Sequence, residues 1–348
     1  MTARMQLKPV QDQVVVVLGA SSGIGREIAL RFGERGAKVV VAARTEQGLA
    51  SLVNEIERRG GRGVHVVCDV AMPAEVQRVA EAAIEAFGRI DTWVNVAAVT
   101  VYARFEDTTP EEFRRVIEVN YLGQVHGALA ALPRLRANRG GALISVSSVE
   151  SSVSLPLTSA YAASKHAIEG ALDALRRELI AEGTPISITS VKPATINTPL
   201  FNNARSKLDV LPKGPPPIYQ PGVVADCVLY AAAHPVRDLY AGGAARMMMV
   251  GQALAPGLLD RLLARFGISS QRTDQPATDG GAGNLGAPRT DDNRVEGDYS
   301  DHARRFSLYT WMETHPAARL LAGAGVLVGA ALLASRARRN GSALRRLT

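Results

Sequence analysis

The sequence predicts an α/β protein built on a doubly wound parallel β-sheet. Apolar, β-branched runs alternate with helical stretches from residue 14 to about residue 250, the rhythm of strand-helix-strand units. The first apolar run also ends at a glycine cluster that opens a helix. In order, Val14-Val15-Val16-Val17-Leu18 lacks any polar interruption, as a strand buried on both faces requires. A helix over 24–35 is closed by Gly36. The spacing then gives a strand over 38–43, a helix over 49–59 ending at Gly60-Gly61, a strand over 64–68, a helix over 74–87 and a strand over 92–96. Pro110 opens a long helix running past Asn120 towards Leu135. Strands over 142–147 and 186–191 flank a helix over 160–181. A helix over 221–233 and a last strand over 245–250 complete the alternation.

The chain is expected to divide into a catalytic unit over 1–267, a linker over 268–300 and an apolar, basic tail over 301–348. Residues 269–299 are rich in Gly, Asp, Thr, Asn and Pro and read as flexible. The net charge of +7 is largely a property of the tail, because Arg336, Arg338, Arg339, Arg345 and Arg346 account for five of it. The remaining +2 gives no footprint for a nucleic-acid partner. Cys68 and Cys227 are isolated, so neither a disulfide framework nor a metal cluster is expected. Residues 1–13 lack the apolar core of a signal peptide, which points to the cytoplasm.

Gly19-Ala20-Ser21-Ser22-Gly23-Ile24-Gly25 lies between the first strand and the first helix. Glycines allow a tight turn and let phosphates approach the backbone, and the helix N-terminus offers N–H groups and a positive dipole end. A glycine turn alone also fits a plain strand-helix connection. After the second strand comes Ala42-Ala43-Arg44-Thr45, with an arginine and no carboxylate. A guanidinium suits a 2′-phosphate, so Arg44 predicts NADP rather than NAD. The other reading is a solvated loop arginine.

Tyr161-Ala162-Ala163-Ser164-Lys165 places a phenol and an ammonium four residues apart, on one helix face. A free tyrosine has a pKa of about 10. A neighbouring cation should lower it and create an acid/base for a substrate oxygen. Ser148 stands 13 residues upstream, after a strand, where its hydroxyl could bond a carbonyl.

Taken together, these segments resemble the short-chain dehydrogenase/reductase family over about residues 12–251. The loop 18–25 is similar to the family's Thr-Gly-x-x-x-Gly-x-Gly, with Leu18 for Thr. Cys68-Asp69-Val70 resembles the adenine-contacting segment, and Asn95-Val96-Ala97-Ala98 the Asn-Asn-Ala-Gly stretch. Asn120 matches the helix asparagine of the proton relay, and Ser148, Tyr161 and Lys165 match the catalytic serine, tyrosine and lysine. Pro193-Ala194-Thr195-Ile196-Asn197-Thr198 resembles the motif beside the nicotinamide. The resemblance implies a Rossmann fold and the following roles. Tyr161 exchanges a proton, Lys165 lowers its pKa and binds the nicotinamide ribose, Ser148 orients the substrate, and Asn120 holds a relay water. Gly19, Ser21, Ser22, Gly23, Ile24, Gly25, Arg44, Asp69, Val70, Asn95, Ala97, Pro193, Ile196 and Thr198 hold NADP, and no metal takes part.

In the family the segment here at 200–219 covers the substrate. With Val99, Val101, Tyr102, Leu155 and Leu157 it offers an apolar wall, fitting a lipophilic ketone or secondary alcohol. The same residues could simply pack the lid. The uncharged run 320–334 has 15 residues, short of the about 20 that span a bilayer. It could pack on the body, lie at a membrane surface or form a short span. The expected partners are a small lipophilic substrate and further copies of the chain. The alternatives in function are a non-catalytic NADP sensor and a membrane-associated scaffold on the same fold.

Overall fold

The computed structural model describes residues 5–319, apart from 278 and 291. The run 320–334 and the arginines beyond it lie outside the described residues. The strands are β1 (Val14–Leu18), β2 (Lys38–Ala43), β3 (Arg62–Val67), β4 (Thr92–Asn95), β5 (Gly141–Val146), β6 (Ile186–Pro193) and β7 (Asp238–Ala241). They form one parallel sheet in the order β7-β6-β5-β4-β1-β2-β3. The chain winds outwards in both directions from β1 and β4, which makes the carboxyl edge between them the expected ligand crevice.

Burial on both sides explains the unbroken valines. Val15 and Val17 of β1 enter a core cluster with α1 (Gly23–Glu34), α2 (Glu46–Arg58) and, on the far side, Val223–Ala232. Val16 and Leu18 enter the opposite cluster with α3 (Pro73–Phe87), while Leu135, Ile168 and Leu172 supply its other walls. The register aligns Leu18 with Ala42 and Asn95, and Asn95 with Ser145. The loops that follow these strands therefore emerge side by side.

Three expectations meet a different outcome. The long helix from Pro110 is broken: α4 (Pro110–Ile117) passes through a π-helical turn at Glu118–Leu122 into α5 (Gly123–Ala137). Such single turns are a frequent device at functional sites. After α6 (Ser159–Ala181) and α7 (Pro221–Ala233), the last strand is β7, and 245–250 belongs to helix α8 (Gly243–Leu254). A short apolar run does not distinguish strand from helix by periodicity. Here Met247 is exposed while Ala245 is buried, a helical division of faces. Finally, 269–299 does not stand away from the body. After α9 (Pro256–Ser270), Arg272–Pro276 pairs antiparallel with Val210–Pro212, and Leu285 joins the second core cluster. The segment leads to α10 (Leu308–Thr314), whose Thr310 bonds Gly242 and Tyr240. Among the described residues no helix is long and apolar enough to cross a membrane.

Candidate active site

A cavity of about 480 Å³ opens at the carboxyl edge of the sheet, within the range of small-molecule and cofactor sites. The loop after β1 forms one side. Gly19 has φ +87°, and a Cβ there would lie 2.5 Å from the Ala97 nitrogen. A Cβ on Gly25 would lie 2.1 Å from the Gly19 carbonyl oxygen. The Gly19 and Ala20 N–H groups donate to Ala42 O, which pins the loop to β2. The first turn of α1 then faces the cavity with N–H groups that the helix cannot itself use.

Sixteen of the eighteen sequence-predicted site residues line this cavity: all except Asn95 and Asn120. Asn95 turns its amide into the core, accepting from Trp93 Nε1 and donating to Gln124 O. Asn120 is fully buried in the π-helical turn. Its Oδ1 accepts from Val99 N, and its Nδ2 donates to Val99 O and to Ser164 Oγ. That amide therefore ties the loop after β4 to helix α6.

Ser148, Tyr161 and Lys165 meet at the cavity floor. Lys165 Nζ lies 5.4 Å from the Tyr161 ring centroid and donates to Val146 O at 3.0 Å. Burial pushes the Tyr161 phenol up, Glu150 adds to the rise, and a hydrogen bond from Ser148 works against it. Burial also brings Lys165 down to about 8, against the pull of Glu169 and Glu150. The direction is thus opposite to the expected lowering: desolvation of the buried phenol is the largest influence, the opposing one comes from Ser148, and the Lys165 ammonium is turned to the Val146 carbonyl.

Glu150 belongs to none of the sequence motifs. Its Oε2 accepts from Thr158 Oγ1 at 2.6 Å, which joins the loop after Ser148 to the start of α6. Burial pushes its carboxyl up to about 7, with Thr158, Leu155 N–H and Lys165 opposing. A lone carboxylate in an otherwise uncharged, serine-rich loop was the available signal.

The substrate side is apolar. Val99, Tyr102 and Leu155 line it as expected, with Leu200, Phe201 and 214–217 from the covering segment. Val101 and Leu157 are buried behind that wall. Met248 of α8 and Leu259 and Leu263 of α9 complete it. At the other end Arg44 donates to Asn284 O at 2.7 Å and to Gly286 O at 3.3 Å, and Asp69 pairs with Arg115 at 2.7 Å. Burial lowers the Arg44 pKa, opposed by Asp69.

A family model described as short chain dehydrogenase matches residues 13–209. The chain is 41% identical over 277 residues to an uncharacterized oxidoreductase, YxnA, of Bacillus subtilis, covering 79% of this chain and 78% of that protein. It is 35% identical over 266 residues to dehydrogenase/reductase SDR family member 7B of Bos taurus, covering 73% of this chain and 81% of that protein. A solved short chain dehydrogenase from Mycobacterium paratuberculosis bound to NAD superposes with TM-score 0.60 at 26% identity, covering 67% of this chain and 97% of its own.

Proposed function

The chain belongs to the short-chain dehydrogenase/reductase family, and from that premise we propose that it is an NADP-dependent oxidoreductase acting on a lipophilic ketone or secondary alcohol, with Tyr161 as acid/base. The observation that carries this reading is the meeting of Ser148, Tyr161 and Lys165 on the floor of an apolar-walled cavity that continues to the glycine loop. The residues present fit a dinucleotide. The space that side chains at Gly19 and Gly25 would fill is taken by backbone, so the loop lies flat. Ser147 Oγ and Asn284 Oδ1, on residues that line the cavity, are buried polar atoms without protein hydrogen bonds.

When bound, the nicotinamide supplies or accepts the hydride. The protein does the rest. The first turn of α1 receives phosphate. Arg44 has guanidinium N–H groups left for a 2′-phosphate after its two contacts with carbonyls. Ser148 orients the substrate oxygen, and Tyr161 passes it a proton as hydride reaches the carbon. A phenol that burial pushes up is in the form that donates to a carbonyl oxygen. Lys165, brought near 8, replaces the proton at the phenol. Asn120 positions α6 through Ser164, whose hydroxyl donates to Tyr161 O at 2.7 Å.

A panel of lipophilic ketones with NADPH tests the reading. Turnover is expected in the wild type, and Tyr161→Phe should lose at least about 10²-fold while binding NADPH normally. A Tyr161→Phe protein that keeps more than half its rate removes the tyrosine from this role.

A further inference from the structure

One wall of the cavity comes from a segment that no family motif covers. Within residues 284–290 and 292–298, Asn284, Pro288, Arg289 and Asp292 line the cavity, and the neighbouring residues bond groups around it. At the far end Arg44 donates to Asn284 O and Gly286 O, and Arg115 donates to Leu285 O at 3.1 Å. In the middle the Gly23 N–H, inside the glycine loop, donates to Arg294 O at 3.0 Å. At the near end Gly297 N donates to Asn197 O, and Tyr299 N donates to the fully buried Asn197 Oδ1 at 3.0 Å. Asn197 sits in the segment expected beside the nicotinamide.

The segment fits closely against its neighbours. A Cβ on Gly48, in α2, would lie 2.3 Å from Asn293 Oδ1, and a Cβ on Gly297 would lie 2.7 Å from Thr198 O. Asn284, Pro288, Arg289 and Asp292 line the cavity, and Asn284 Oδ1 is a buried acceptor without a donor. An amino or hydroxyl group of a ligand would satisfy it. Yet the segment is weakly held. Among its described residues Leu285 is the sole fully buried apolar side chain, the half-buried Val295 packs on the first core cluster, and the remaining contacts named here are hydrogen bonds, each small in net contribution. A wall attached in this way opens at lower cost than the core behind it.

We propose that 284–290 and 292–298 form a cofactor clasp, a part of the dinucleotide site that closes over its adenosine and phosphate end and lifts to let it in and out. The proposal rests on the cofactor reading above. It makes the C-terminal extension a ligand-binding element, and it makes cofactor release slow relative to an open cleft.

A reversible staple tests it. Gly48→Cys combined with Asn293→Cys places two thiols across the contact, while Cys68 and Cys227 are buried and stay out of reach. Full-length protein is loaded with NADPH, and its release into excess NADP is followed by fluorescence, before and after reduction. Oxidised protein should release NADPH at least about 100-fold more slowly than the same sample reduced, as gated release implies. Oxidised before loading, it should refuse NADPH. Equal release rates in the two states overturn the clasp while leaving the cofactor reading intact. Absence of NADPH binding by wild-type and reduced protein overturns both. Leu285→Ser gives a second arm without new thiols. Release should accelerate about 10-fold or more, with faster proteolysis of 284–298, and an unchanged rate in a protein whose clasp has become protease-sensitive counts against the proposal.

Discussion

Two walls of the same cleft, the glycine loop at 19–25 and the clasp at 284–290 and 292–298, are both rich in small and polar residues, yet they are held in different ways. The loop is clamped by its neighbours in sequence: β1 enters it, α1 leaves it, and Gly19 and Gly25 allow backbone to touch backbone. The clasp has no strand or helix within it and is held by residues far away in sequence, Arg44, Arg115, Gly23 and Asn197. Similar composition therefore gives a rigid cradle in one place and a detachable strap in the other. What differs is that the loop is also held at both ends by a strand and a helix of the core, whereas the clasp relies on its distant contacts.

The largest expected effect is on the loop. Gly25→Ala puts a methyl group onto the Gly19 carbonyl, and should cost about 2–4 kcal/mol of stability together with most cofactor binding. Urea denaturation and NADPH titration measure the two losses, and a near-neutral result would dissolve the contrast between the walls. Next comes the residue that touches the clasp. Arg44→Ala should weaken NADPH by about 1.5–3 kcal/mol more than it weakens NADH, since the charge-assisted contact is lost for NADPH alone while the loss of a clasp anchor is common to both. Equal wild-type affinity for the two nucleotides would refute the assignment.

A third effect lies at the floor between the walls. The Glu150 carboxyl titrates near 7 in the folded chain, above its ordinary value of 4.5. Its relative contribution to stability is full below the ordinary value and is lost as pH rises through about 7. Glu150→Gln removes that dependence. Relative to wild type, the variant should gain on the order of 2–3 kcal/mol between pH 5 and pH 8 in thermal or urea melts. A stability difference that is flat with pH would show that the carboxyl does not titrate in this window. The smallest effect is on the clasp itself. A Cβ added at Gly286 would meet nothing within 4 Å, so Gly286→Ala should stay within about 0.5 kcal/mol. A loss as large as that of Gly25→Ala would mean that the clasp is as sterically committed as the loop.

Most of the sheet was legible because burial on both faces writes an unbroken apolar run, as in 14–18. The floor of the site was legible because Tyr161 and Lys165 share a helix and Ser148 follows a strand. The run at 245–250 reads as strand yet folds as helix, because five apolar residues around Arg246 fit either element until neighbours choose the face. Asn95 was expected to reach the cavity, but its side chain bonds Trp93 and Gln124 instead, a choice of direction that spacing does not encode. Glu150 and the clasp escape a reading of the sequence for the same reason, since their partners are set by the fold.

By itself the sequence determined the parallel sheet, the strand-loop-helix cradle and the three residues at the floor, because each depends on contacts between residues close in the chain or on a burial pattern repeated along it. Only the tertiary structure decided that the Gly-, Asp- and Asn-rich stretch after residue 269 returns to the cleft, and that burial pushes the Tyr161 phenol up. Both are outcomes of long-range placement. A polar strap gains its anchors only where Arg44, Arg115 and Asn197 have already been brought into one line by the register of the sheet. A phenol likewise feels desolvation only once the loops around it have closed.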